Sequence, residues 1–301
     1  MRVWSGVAAV IAGALALVAP AAAAPIAPSV AGMTLAAADV PGSKIVSQGK
    51  VTVGGYLAAY QRTLRFAAPY GQSKLVGVRS QGMLGKTSKQ VSTDLAVVQR
   101  VFNSPLGRKA FVAGIASGFK VKPTAVKLSH LRHPGVGDGT VEQPLTVTLP
   151  AGQTYESLLY MRIDRVLVEF VFIGARPVVQ ADSVTLAKIA LAHVTGQLTP
   201  VDLTQPAITG TVDIGQTLTL TPGTWSNTDV TLTHQWQRCD GSGANCADIA
   251  GATTTTYAVV DTDAGSTFRV VETATDRFGA PTATSAVTAA VPVPPPPPPS
   301  P

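Results

Sequence analysis

Alternating and helically spaced apolar residues divide the chain into short runs. Strand-like patterns fall at Lys44–Val53, Tyr60–Phe66, Leu75–Ser80, Val126–Leu131, Leu145–Leu149, Ser157–Ile163 and Val166–Ile173. Asp164-Arg165 separates the last two and predicts a tight hairpin. Within Ser92–Phe102, Leu95, Val98 and Phe102 recur at helical spacing on one face. Ser104-Pro105 predicts a second helix, serine capping it and proline at its first position; Leu106, Phe111 and Ile115 continue it and Gly118 ends it. A third helix is expected over Asp182–Val194, with Leu186, Ile189, Ala190 and Val194 on one side. Strands with a helical pair between them predict an α+β domain built on an antiparallel sheet.

Beyond Pro200 the pattern changes. Thr217 to Thr221 alternates polar and apolar, as does the run from Thr231 towards Trp236; Thr253–Val260 is rich in β-branched residues, and Phe268, Val270 and Thr273 continue the series. Gly210, Gly215, Gly223, Gly251, Gly265 and Gly279 punctuate these runs. Short strands so spaced predict an all-β sandwich.

The length, 301 residues, fits two folded domains. With 46% hydrophobic residues the chain is not a disordered one, and none of its apolar runs reaches the ~20 residues of a membrane-spanning helix. Residues 1–24 carry Arg2, an apolar stretch from Val7 to Ala19 and small residues from Ala21 to Ala24, the order of a secretory signal peptide, with cleavage expected after Ala23. No cysteine near that site offers itself for lipid attachment. The mature chain is therefore expected outside the cytoplasm, secreted or at the cell surface, without a transmembrane segment.

Charge separates the two halves. Residues 25–200 hold 19 Lys+Arg against 8 Asp+Glu, whereas residues 201–301 hold 3 arginines and 9 acids. From Val40 to Gly137 there are 15 basic residues and one acid, Asp94. The expected organisation is a signal peptide (1–24), a basic α+β domain (25–198), a β-sandwich (203–292) and a proline-rich tail (293–301), whose run Pro294 to Pro299 favours an extended polyproline II rod.

Spaced motifs in the second domain carry a resemblance. Pro206-Ala207-Ile208-Thr209-Gly210, Gly215-Gln216-Thr217-Leu218, Pro222-Gly223-Thr224-Trp225, Gln235-Trp236-Gln237-Arg238-Cys239, Cys246 to Thr253, Tyr257 and the close from Phe268 to Asp276 resemble a bacterial immunoglobulin-like repeat. Such repeats occur in secreted and surface proteins of actinobacteria. The chain departs from antibody domains in its cysteines. Only six residues separate Cys239 from Cys246, so they fit a local staple and not the usual bridge between sheets; two free thiols or a redox pair are the alternative. Trp236 is expected to anchor the core. The first domain resembles, more loosely, α+β domains of actinobacterial envelope proteins of uncertain role. The cues are Leu35 to Gly42, Gly135-Val136-Gly137-Asp138-Gly139 and the strand–hairpin–strand–helix ending from Ser157.

Catalytic constellations are sparse. Ser47/Lys50 and Ser117/Lys120 fit the short S-x-x-K pattern, but the companion elements of penicillin-recognising enzymes are missing. His130 alternates with Val126 and Leu128 and is expected against the core. His133, in the turn Arg132-His133-Pro134-Gly135, has Asp138 near it in sequence, and Asp138 with Glu142 forms a pair of acids on a glycine-rich loop. None of these specifies a reaction. No cofactor, metal or nucleic-acid partner is expected. The basic surplus is the feature with functional content, and Arg62, Arg65, Arg79, Arg108, Lys109, Lys120, Lys122 and Arg132 are its candidate contact residues. The expectation is a non-enzymatic extracellular or envelope protein that binds an anionic envelope polymer or a protein partner, with the immunoglobulin-like module displaying it or adding contacts. An envelope-acting hydrolase without a recognisable motif, or a plain spacer, is the alternative.

Overall fold

A computed structural model describes residues 29–227 and 229–295. The expected signal peptide and the tail from Pro296 onwards lie outside the described residues. The chain is mostly β, and residues 29–197 and 198–295 fall into two compact units.

The first unit is built on seven strands: β1 (Lys44–Lys50), β2 (Tyr56–Tyr70), β3 (Leu75–Gly85), β4 (Val126–Leu128), β5 (Gly139–Leu149), β6 (Gly152–Ile163) and β7 (Val166–Gly174). Their order across the sheet is β1-β2-β3-β7-β6-β5-β4, and each neighbouring pair is antiparallel. The β6–β7 hairpin turns at Asp164-Arg165, as expected, and Asp164 takes a positive φ there. Three α-helices accompany the sheet: α1 (Ser88–Asn103), α2 (Pro105–Phe119) and α3 (Gln180–Leu198).

Because side chains alternate across a strand, the two faces of the sheet can be assigned residue by residue. Val141, Leu145, Leu158, Tyr160, Leu167, Val171 and Met83 share one face, where they form a core with Val91, Leu95, Val98 and Phe102 of α1 and Phe111 and Ile115 of α2. The other face carries Leu64, Val78, Leu84, Val168, Phe170 and Phe172, all buried. A 3₁₀ turn, Val30–Met33, crosses this second face at Gly82, where a Cβ would meet Met33 and the Val30 carbonyl at 3.2 Å. Helix α3 is tied to the same side. Asp182, in its first turn, accepts from the Ser73 N–H (2.7 Å) and hydroxyl (2.6 Å), and His193 reaches the Thr34 carbonyl.

The first-unit strands differ from expectation mainly in length. β2 and β3 run past their expected ends, β4 stops at Leu128, and β5 begins at Gly139 instead of Leu145. Glu142 is therefore not on a glycine-rich loop. It sits within β5, fully buried, and accepts the Ser157 hydroxyl at 2.7 Å.

The second unit holds three small sheets. β9 (Ala207–Thr209), β10 (Thr217–Thr221) and β14 (Thr256–Ala258) form one; β8 (Asp202–Thr204) pairs with β11 (Thr224–Trp225); β12 (Thr231–Cys239), β13 (Ala247–Asp248), β15 (Thr267–Thr275) and β16 (Thr282–Thr284) form the third. Leu218 and Leu220 of β10 share a core with Trp236 of β12 and Phe268 and Val270 of β15. Trp236 is completely buried and donates its indole N–H to the Thr254 carbonyl at 2.8 Å. The run Thr253–Val260 shrinks to the short strand β14. Cys239 and Cys246 form a disulfide that closes the loop between them. Two buried acids of this unit have named partners. Glu272 accepts from the Trp225 indole (2.9 Å) and the Gly223 N–H (3.1 Å) and faces His234 (3.1 Å). Asp263 takes the Tyr257 hydroxyl (2.9 Å) and pairs with Arg238.

Candidate anion-binding surface

The eight cations singled out by charge occupy different environments. Arg79 is interior, only 3% exposed, and its guanidinium bonds Glu169 at 2.8 Å. It lies on the α1–α2 face of the sheet, where Tyr160 and Glu156 join it. This removes Arg79 from any solvent-facing patch. A buried arginine is retained by a paired carboxylate, because an isolated charge would be costly there. Burial pushes the Glu156 carboxyl up to about 7, with Arg79 drawing it partly back. The Tyr160 hydroxyl is raised by burial first and by Glu169 next.

Arg132 is half-buried. It faces the buried Glu142 at 3.6 Å and donates to the Val178 carbonyl at 3.0 Å, which makes it a structural cation. Arg62 and Arg65 both lie on β2, but their odd and even positions send them to opposite faces of the sheet. Arg65 is exposed; Arg62 lies beside the N-terminal segment, donating to Gln48 and to the Leu35 carbonyl. Arg108 donates to the Phe102 carbonyl at 3.3 Å, so it satisfies the C-terminus of α1, where a cation is favoured by the helix dipole.

Lys109, Lys120 and Lys122 remain exposed on and just after α2. Lys109 and Lys120 are eleven residues apart, which brings them to nearly the same azimuth of a helix. No ion pair holds any of the three among the described residues. Lys120 terminates α2 with φ +56°, a left-handed position ordinarily taken by glycine. Lys127 follows on β4 and is exposed.

Burial of acids sharpens this surface. Of the acids in the first unit, Glu142 (0% exposed), Glu156 (3%) and Asp182 (8%) are inside, and Arg79 is the one buried cation among its described residues. The solvent-facing charge of the unit is therefore more positive than its composition. Sequence reasoning missed this because it counted acids without placing them. The available signal was parity, which sets Glu156, Leu158 and Tyr160 on the same side of β6.

The remaining catalytic candidates do not assemble. Ser47 and Lys50 are three apart on β1 and so point to opposite faces. Ser117 and Lys120 are both exposed at the end of α2. His130 is exposed, since the chain has left the ladder at Leu128, which corrects its expected place against the core. His133 faces the Thr140 carbonyl at 3.3 Å, while the Asp138 carboxylate accepts from the Asp164 N–H at 2.7 Å and pairs with Arg162 at 3.7 Å. Among the described residues, no group of three or more His, Cys, Asp or Glu side chains is placed to hold a metal, and no helix is long and apolar enough to cross a membrane.

No family model and no curated protein matches the chain. Among solved structures it is similar to the crystal structure of the extracellular domain of PknH from Mycobacterium tuberculosis, with a TM-score of 0.33 and 11% identity over 55% of this chain and 97% of that chain.

Proposed function

We propose that this chain is a secreted, non-enzymatic protein of the cell envelope or extracellular space, whose first unit binds an anionic polymer through Lys109, Lys120 and Lys122. In this reading the first unit is an α+β domain and the second an immunoglobulin-like sandwich that displays it. The observation that carries the proposal is the unequal burial of charge: three of the eight acids of the first unit (Glu142, Glu156 and Asp182) are buried, while lysines on and after α2 stand in water without carboxylate partners among the described residues. Lysine in water is a mobile point charge on a long stem, suited to a flexible polyanion more than to one fixed planar group. Clustered cations raise the local concentration of such a polymer, and salt screens the effect.

The test is retention of the protein on a uronate-bearing and a phosphate-bearing polysaccharide at low and high ionic strength. Retention at about 50 mM salt that disappears near 0.5 M supports the proposal. Absence of retention at low salt, or retention indifferent to Lys109→Gln, Lys120→Gln and Lys122→Gln together, overturns it.

A further inference from the structure

We propose a second, smaller binding site on the opposite face of the sheet: a groove that takes a carboxylate-bearing ligand through Arg62. The groove lies between the N-terminal segment, β2 and α3, with a volume of about 590 Å³, and is lined by Ala31, Thr34, Arg62, His193, Gly196 and Gln197 among others. Its polar groups are held in place from behind. Arg62 donates through Nε to Gln48 (3.1 Å) and through Nη1 to the Leu35 carbonyl (3.0 Å), and its guanidinium lies 5.5 Å from the centre of the Tyr60 ring. Leu35 is itself anchored, its N–H donating to the Ser80 hydroxyl at 3.1 Å. Two of the five N–H groups of Arg62 are thus committed, and the other three have no partner among the described residues. A guanidinium already fixed in orientation loses little freedom on binding, and its planar fork suits a carboxylate.

The rest of the groove limits the ligand. His193 places Nδ1 3.2 Å from the Thr34 carbonyl and Nε2 3.4 Å from Asp39, so the imidazole is occupied as a strut between α3 and the N-terminal segment. Asp39 in turn accepts the Ala36 N–H at 2.6 Å. Gln197 spends its carbonyl oxygen on the Ser29 N–H (3.0 Å), which leaves its amide NH₂ as a second donor toward the groove. The remaining N–H groups of one guanidinium and one amide, with the Asp39 carboxylate nearby, match a single negative charge better than a dianion. The walls are short: Ala31, Gly32, Ala36, Ala192 and Gly196 carry nothing beyond a methyl.

Gly196 is the independent observation. It lies in the last turns of α3, where glycine costs roughly 1 kcal/mol relative to alanine. A Cβ at Gly196 would meet no atom within 4 Å, so packing does not require glycine there. Gly32 differs, since a Cβ there would press on the Gln197 amide at 3.0 Å. An uncrowded glycine at the rim keeps the groove open.

The carboxylate could be the end of a peptide or part of an acidic sugar. The experiment titrates the protein with N-acetylalanine, N-acetylalanine amide, glucuronate and inorganic phosphate, following chemical shifts or heat. Saturable binding of N-acetylalanine or of glucuronate is expected, the two arms separating the sources, with the amide at least 10-fold weaker. Arg62→Ala should weaken it at least 10-fold. Gly196→Leu, which fills open space and leaves the core untouched, should do the same and serves if Arg62→Ala fails to fold. Equal binding of acid and amide, a preference for phosphate, or binding unchanged by Gly196→Leu overturns the proposal. Replacing Lys109, Lys120 and Lys122 should leave this binding unchanged, so the two sites fail or stand separately; loss of binding in that variant overturns the assignment to Arg62.

Discussion

Glu156 couples the fold to pH. Its carboxyl, ordinarily near 4.5, is raised to about 7 by burial on the α1–α2 face, with Arg79 as the counteracting charge. Between those values the native state holds a proton that the unfolded chain has released. Stability is therefore highest below about 4.5 as far as this group is concerned, and falls as pH rises towards 7. Ionising it costs on the order of 3 kcal/mol. Glu156→Gln should remove this slope: the difference in denaturant midpoint between variant and parent grows in favour of the variant from pH 5 to pH 8. A pH-independent difference would place the proton elsewhere. Lys120 makes the opposite case, an exposed residue under backbone strain. A side chain in the left-handed region costs roughly 1–2 kcal/mol, so Lys120→Gly should raise stability by roughly 0.5–1 kcal/mol in thermal or urea unfolding. The same substitution should weaken polyanion retention, so stability and binding would move in opposite directions. Neither property could be read from composition. The lysine was visible as charge; its φ, and the depth of Glu156, depend on tertiary packing.

At the scale of elements, the corner between α1 and α2 was the most legible part of the fold. Ser104-Pro105 predicts a capped helix start, and Ser104 Oγ accepts from the Gly107 N–H at 3.0 Å. Local chemistry alone fixes that junction. Gly107 adds what the sequence could not state. A Cβ there would fall 2.4 Å from the Val101 carbonyl and 2.8 Å from the Val101 Cα, both backbone of the preceding helix. Gly→Ala inside a helix ordinarily gains roughly 0.5–1 kcal/mol. Gly107→Ala should instead lose roughly 1–3 kcal/mol, because backbone atoms must yield; a melting temperature at or above the parent's would refute the close approach. The start of β5 was the least legible element. Thr140, Glu142 and Gln143 are polar, and all three are buried between neighbouring strands. An interior polar row that bonds across strands, as Glu142 does with Ser157, erases the apolar alternation on which strand prediction rests. Thr253–Val260 errs the other way: β-branched residues favour extension there, but among the described residues the ladder is confined to Thr256–Ala258, with backbone hydrogen bonds at Thr255 and Val259 on either side.

For the molecule as a whole, the two units allow effects to be assigned. The Cys239–Cys246 bridge closes a loop whose cysteines are 7 apart in sequence, within the second unit. On the chain-entropy model it contributes roughly 2–3 kcal/mol to that unit. Replacing both cysteines with serine should lower the transition that quenches with Trp236 and leave unchanged the one followed by exchange of amides in β6 and β7. A drop of equal size in both would mean that the units unfold together.

Charge acts on the molecule at the longest range. The full sequence has a net charge of +6, a figure that conceals a first half rich in lysine and arginine and a second half rich in acids. Taken separately, the first unit attracts an anionic polymer and the second repels it. Screening acts on both contributions over about 8–10 Å at physiological salt. Replacing Lys109, Lys120 and Lys122 with glutamine removes only the attraction. At about 50 mM salt the triple variant should bind a polyanion roughly 10-fold more weakly than the parent, and the gap should close as salt approaches 0.5 M. Stability should change little, because none of the three lysines is ion-paired within the fold. A gap that persists at high salt would mean that the lysines act through specific hydrogen bonds to a defined ligand, and the reading of a diffuse electrostatic surface would then have to give way to a recognition site.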